Sequence, residues 1–162
     1  MSNLAVVIPH EELGRFLAQS VLEMFSTMFA SGVTLGIGDR IDDLPPCHGL
    51  SAIVGLGGSV RGSVVFQCSS GAAGRFTELM TGEAPGPGDQ LVKDGVGEIG
   101  NILAGGLKKQ LDSTGVNVSI SIPTVVEGKP HQVSATGNTP WTVLRFTSEG
   151  EPILAAARIV HA

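Results

Sequence analysis

The chain is short of charge. Only 15% of its 162 residues are Asp, Glu, Lys or Arg, against about 25% in an ordinary soluble domain. What charge there is leans negative, at a formal net of -5, and no basic cluster exceeds the pair Lys108-Lys109. Binding to a phosphate backbone needs grouped cations, so a nucleic-acid partner is not expected. Long hydrophobic runs are missing as well. No stretch approaches the ~18 apolar residues of a membrane span. The first apolar run, Leu4 to Ile8, is too short for a secretory signal and has no basic lead-in. The expected location is therefore cytoplasmic, with no membrane contact. Cysteine is scarce too, and Cys47 and Cys68 read as free thiols rather than a disulfide in a chain without a secretion signal. Cys47-His48 has no further Cys or His at ligand spacing, and His10, His131 and His161 are scattered, so no metal site is expected.

What is present is apolar residues and glycine. A hydrophobic share of 42% excludes intrinsic disorder and suffices for one well-buried domain over residues 1–162. The 23 glycines are about double the usual share and imply tight turns or close backbone approaches.

Periodicity divides the chain into helices and strands. Leu13, Phe16, Leu17, Val21, Met24, Phe25 and Met28 recur at three- and four-residue steps, which predicts a helix over 11–31 ended by Gly32. Strands are expected near 33–41, 50–57 and 60–68, with Gly57-Gly58 turning the last two into a hairpin, and a short helix over 70–81. The segment from Thr81 to Gly88 reads as a rigid linker, and Asp89 as the N-cap of a second long helix running to about Ser113. Val116, Val118, Ile120 and Ile122 alternate as in a half-buried strand, which Pro123 interrupts. Further strands are expected at 141–147 and 152–160, joined by the turn Ser148 to Glu151. The order suggests an internal pseudo-repeat, about 10–82 and 85–162, at an offset near 75 residues. That offset sets Gln19 on Asp94, Glu23 on Glu98 and Ser26 on Asn101. The fold class that follows is α+β, a duplicated helix-plus-strands unit with long helices on a mostly antiparallel sheet.

The second long helix carries the most informative pattern. At ~100° per residue, Asp94, Glu98, Asn101, Gly105 and Lys108 fall within an arc of about 80°. Val96, Ile99, Leu103 and Leu107 form a second arc, centred roughly opposite. One face is thus built for burial. The other presents a carboxylate and a carboxamide one turn apart, and a glycine one turn further on. Glycines in a helix each cost ~1 kcal/mol relative to Ala, so this many suggests that something comes close. The same residues spell Gly95-x-Gly97-x-x-Gly100, the dinucleotide fingerprint. That reading fails, because no hydrophobic strand precedes the pattern and Glu98 would face a pyrophosphate.

The wider pattern, Asp94-x-x-x-Glu98-x-x-Asn101 with Pro123 after a strand, resembles the signature of the CheC/CheX/FliY family of chemotaxis phosphatases. The strand-turn-strand from Val54 to Phe66 also resembles that family's hairpin before its short helix, and the likeness runs from the first helix to the last strand. Ser26 stands where two-site, CheC-like members carry a first asparagine, so the resemblance is closest to CheX-like members. It implies two α/β repeats on an extended sheet, a homodimer, and hydrolysis of the aspartyl phosphate on a CheY-type response regulator. No cofactor of the protein's own is implied; the Mg²⁺ is expected in the partner regulator.

The implied roles follow from side-chain chemistry. Phosphoryl transfer to water is mainly positioning and electrostatics. Asn101 suits the holding of the attacking water, since its amide both accepts and donates and stays neutral, whereas a carboxylate there would repel the phosphoryl oxygens. Glu98 suits pairing with the regulator's active-site lysine. Gly97 and Gly105 would allow backbone-level contact with the partner. Asp94 reads equally as a rim contact or as a favourable charge near a helix N-terminus, and Lys108 as a solvated charge. The alternative is a non-catalytic receiver-binding or motor-switch-related module of the same fold; the Glu98-Asn101 pair favours the enzyme.

Overall fold

The computed structural model describes residues 8–29, 33–35, 38–86, 88–128 and 130–161. Leu4 to Val7 of the first apolar run and the expected helix stop Gly32 lie outside these residues. Apolar spacing of three and four makes α1 (His10–Phe29), which buries Leu13, Leu17, Val21, Met24 and Phe25. Two short strands follow, β1 (Thr34–Leu35) and β2 (Asp39–Ile41), then the hairpin of β3 (Leu50–Gly58) and β4 (Val60–Cys68). Gly58 turns that hairpin at φ +91°, a left-handed conformation open to glycine. Helix α2 (Ser70–Thr81) starts where Ser69 accepts from the Ala72 N–H and stops at Gly82, which is left-handed. Helix α3 (Gln90–Ser113) is capped by the Asp89 carboxylate, which accepts from the Leu91 N–H at 3.0 Å. Then come β5 (Val118–Ile120), β6 (Thr124–Glu127), β7 (Trp141–Ser148) and β8 (Glu151–His161).

The eight strands form one sheet in the order β1-β7-β8-β4-β3-β5, with β2 also on β7 and β6 also on β3. Every paired strand runs antiparallel to its neighbour. The fold is α+β, with three helices among the described residues packed on one face of the sheet. Leu50, Ala52, Val54 and Leu56 of β3, Val64 and Phe66 of β4, and Ala155 and Ala157 of β8 point into the main core beneath the helices. A smaller cluster, around Trp141, Val65, Val143 and Leu154, fills the opposite face. The order is symmetric about the β4–β8 pair, with an edge strand following each long helix and crossing to the other half of the sheet. The elements keep no single offset: α1 and α3 begin at His10 and Gln90, while the hairpins turn at Ser59 and at Glu149-Gly150.

Two strand expectations change. The strand expected over 116–122 is only β5, and β6 was not expected at all. The pairing explains both. Residues 118–120 pair with Leu56 to Gly58 of β3, and residues 124–127 with Leu50 to Ile53. Three residues, Ser121 to Pro123, therefore stand opposite two, Val54 and Gly55. That is a β-bulge, and one extra residue reverses the inside-outside alternation. Ile122, expected inside, is 86% exposed, while Pro123 and Val125 turn toward α3. Pro123 suits this place because it has no N–H to lose.

Small residues set how close α3 comes to the sheet. A Cβ on Gly100 would lie 2.7 Å from the Ala52 Cβ on β3, and one on Gly95 would lie 2.7 Å from the Thr77 Oγ1 of α2. Gly106 meets Ser20 of α1, where Gln110 also donates to the Phe16 carbonyl at 2.8 Å. Gly105 has nothing within 4 Å. Two substitutions separate these situations. Gly100→Ala should destabilise by about 1–3 kcal/mol through overpacking, and Gly105→Ala should stabilise by up to about 1 kcal/mol through helix propensity, both read as shifts in urea denaturation.

Candidate functional site

The outward face of α3 is the one the spacing predicts. Asp94 and Glu98 are exposed, while Asn101, Gly105 and Lys108 are half-buried. Asp94 accepts from Gln90 at 3.1 Å on its own helix. Lys108 is bound to Asp112 one turn on, so it is not a free solvated charge. Among the described residues neither Glu98 nor Asn101 has a hydrogen-bonding or ion-pairing partner for its side chain. A carboxylate and a carboxamide thus stand one turn apart, uncommitted, on a helix whose other face is locked into the core.

One expected contact residue is turned the wrong way. Gly97 is buried, and a Cβ there would meet Val125 Cγ2 at 3.3 Å and Pro123 Cγ at 3.7 Å. Its small size admits the chain's own edge strand, so Gly97 cannot offer its backbone to a partner. Only Gly105, of the two glycines expected at the contact, faces open space. The edge strand runs close along α3, with Lys93 paired to Glu127 at 3.5 Å and Gly97 beneath Pro123 and Val125. Sequence reading missed this flank. The β-branched pair Val125-Val126 just after Pro123 was the available signal for β6.

The α3 C-terminus is pinned by Asp112, which accepts from the Val118 N–H at 3.1 Å and so ties the helix to β5. The hydrogen bond from Lys108, then that from Val118, holds its carboxyl below the ordinary value of 3.8. On α1 the matching positions differ. Gln19 donates to Glu23 at 3.1 Å, and Ser26 is exposed. Among the described residues no group of three or more His, Cys, Asp or Glu side chains could hold a metal ion. Cys47 and Cys68 are both free and buried, and burial pushes the Cys68 thiol up to about 12, which keeps it protonated at neutral pH. These cysteines line a cavity of about 500 Å³ with Gln67, Arg145 and Leu154; no residue of α3 takes part in it. Among the described residues no helix is long and apolar enough to cross a membrane.

Residues 50–147, which include the β3–β4 hairpin, Glu98, Asn101 and Pro123, match the family model described as chemotaxis phosphatase CheX. The chain belongs to the CheX family. A curated CheX relative, the CheY-P phosphatase CheX of Thermotoga maritima, is 33% identical over 91 residues. The match spans 56% of this chain and 59% of that protein. A chemotactic CheC-like protein from Shewanella oneidensis superposes at a TM-score of 0.78 with 28% identity, covering 90% of this chain and 96% of that one. The CheX of a CheX–CheY–BeF₃–Mg²⁺ complex from Borrelia burgdorferi shares the fold at a TM-score of 0.77 and 24% identity, covering 94% of this chain and 99% of its own.

Two outcomes follow from the site's geometry. Asn101→Ala should change stability by less than about 0.5 kcal/mol in urea denaturation, because no partner is lost. Asp112 should contribute pH-dependent stability. Its folded-state value is lowered, so that contribution is full above the unfolded value of 3.8 and fades as pH falls through the folded one. The gap between wild type and Asp112→Asn in acid titrations of unfolding should narrow over that range; a gap independent of pH would contradict the assignment.

Proposed function

We propose that this CheX-family protein hydrolyses the aspartyl phosphate of a CheY-type response regulator. The observation that carries the reading is the Glu98-Asn101 pair on the rigid α3 face, Glu98 exposed and Asn101 half-buried, with neither side chain committed to a partner. In water each group would be solvated and mobile. Held by a helix that is packed on three sides, their separation and direction are set before a partner arrives, which is what a positioning-dominated reaction needs.

The division of labour follows from what each group can do. The Asn101 carboxamide oxygen accepts a hydrogen bond from the attacking water and orients its lone pair toward phosphorus, and the NH₂ donates to a phosphoryl oxygen. The water's oxygen bonds to phosphorus as the bond to the aspartyl oxygen breaks, and phosphate leaves with the regulator's carboxylate restored. The regulator supplies Mg²⁺ to neutralise the phosphoryl charge; this protein needs no cofactor of its own. Glu98 pairs with the regulator's active-site lysine and sets the angle at which α3 enters. Gly105 leaves room for the partner's backbone along the same face, and Asp94 stands at its rim.

The relatives support the partner class. The Thermotoga protein is a CheY-P phosphatase, and the Borrelia CheX was solved with CheY, BeF₃ and Mg²⁺. The chain is read as a duplicated unit, 10–82 and 85–162, with one working site. Glu23 is engaged by Gln19 and Ser26 offers no carboxamide, so α1 lacks the water-positioning group. A cytoplasmic homodimer completes the reading.

The direct test is phosphate release from a phosphorylated CheY-type regulator. Wild type should accelerate release, and Asn101→Ala should lower that acceleration by about 100-fold or more. Glu98→Ala should weaken regulator binding. Full activity in Asn101→Ala would remove that residue from the mechanism, and tight binding without any hydrolysis by wild type would favour the non-catalytic docking module.

A further inference from the structure

The β-bulge between β5 and β6 has a position as well as a shape. Along the flank of α3, Glu127 lies opposite Lys93, and Pro123 with Val125 opposite Gly97. Continued in the same direction, the edge strand brings Ile122 level with the next turn, that of Glu98 to Asn101. Gly97 lies on the Asn101 side of the helix face, about 40° away on the wheel, so the bulge runs along the flank nearer to Asn101 than to Glu98. That flank is consistent with Asn101 being half-buried while Glu98 is exposed.

The bulge is also held rigid. The Ser121 N–H donates to the Gly55 carbonyl at 2.9 Å, the Gly55 N–H donates to Ser121 Oγ at 2.8 Å, and Ser121 Oγ donates to the Ile122 carbonyl at 2.9 Å. Ile122 is thereby fixed outward, at 86% exposure. A lone exposed isoleucine is ordinary on any surface. One that a bulge has turned out of the core, on a braced backbone along the flank of the helix that carries an uncommitted polar pair, is placed for contact.

We propose that Ile122 is the apolar anchor of the docking face and buries against an apolar patch on the receiver domain beside its phosphorylated aspartate. This rests on the reading of α3 as the face that meets the regulator. Polar groups such as Glu98 and Asn101 gain little affinity from exchanging water for a partner. An adjacent aliphatic side chain supplies what they do not, and its burial excludes water from the rim, so that only the water held by Asn101 remains. Ile122 touches no reacting atom; it is a positioning and specificity residue.

The test separates this role from the chemistry. Regulator affinity is measured with the beryllofluoride-activated receiver, and steady-state phosphate release with the phosphorylated one, for wild type, Ile122→Ser and Ile122→Val. Ile122→Ser should weaken affinity and raise KM by about 10-fold or more, leaving kcat within about twofold and urea stability unchanged. Ile122→Val should restore most of the affinity, since it keeps a branched apolar surface. Unchanged affinity and KM in Ile122→Ser, or a loss confined to kcat, would overturn the anchor. If wild type binds but does not hydrolyse, the phosphatase reading fails alone, and the binding series still decides for or against Ile122. If wild type binds no regulator at all, both fall.

Discussion

The arrangement depends on the absence of side chains between α3 and its neighbours. At Gly100 the helix backbone approaches β3 so closely that a methyl group would lie 2.7 Å from Ala52, and at Gly95 it meets Thr77 of α2 just as closely. With Gly106 against Ser20, the helix is clasped by the sheet, α2 and α1 at three different heights. A helix seated on Leu or Ile side chains alone could rotate by small rotamer adjustments. One seated backbone-to-strand has no such freedom, because close-packed interiors do not yield. The glycines cost helix propensity and return a fixed axial rotation, and that rotation aims Glu98 and Asn101.

The same logic extends to the edge of the sheet. Gly97 makes room for Pro123 and Val125, so the edge strand can lie against the helix rather than stand off from it. The price of that contact is one extra residue in the strand, since β5 and β6 must both pair with β3 while the chain bends toward α3. The bulge also blunts an edge that would otherwise present an unbroken row of backbone donors and acceptors. Site, helix seat and edge bulge are therefore one mechanical unit: the proposed catalytic pair sits on its rigid side, and Ile122 at its rim.

The opposite face of the sheet is built differently. Its smaller cluster and the cavity by Cys47, Gln67 and Cys68 contain no residue of α3, and the raised Cys68 thiol is chemically quiet. The division between faces suits the proposed reading, in which a partner completes the chemistry: the polar groups required are few, and they stand on the outside of the helix layer.

Much of this was legible in the residues themselves. Three- and four-residue apolar spacing fixed both long helices, Asp89 marked the start of α3, and wheel geometry set Asp94, Glu98, Asn101, Gly105 and Lys108 on one face. These are local properties, decided by the 3.6-residue period and by caps within a turn. The partners of the glycines were not local. Sequence spacing could say that something approaches Gly97 and Gly105, yet not that Gly97 receives the chain's own Pro123 while Gly105 receives nothing. The alternation ending at Ile122 likewise assumed an unbroken strand, and a bulge is settled by the register of β3, more than sixty residues earlier in the chain. Periodicity is written along the chain, so the sequence alone determined which side chains share a face. Which faces meet, and which one is left open to a partner, depended on distant segments filling the same space, and only the tertiary structure decided that.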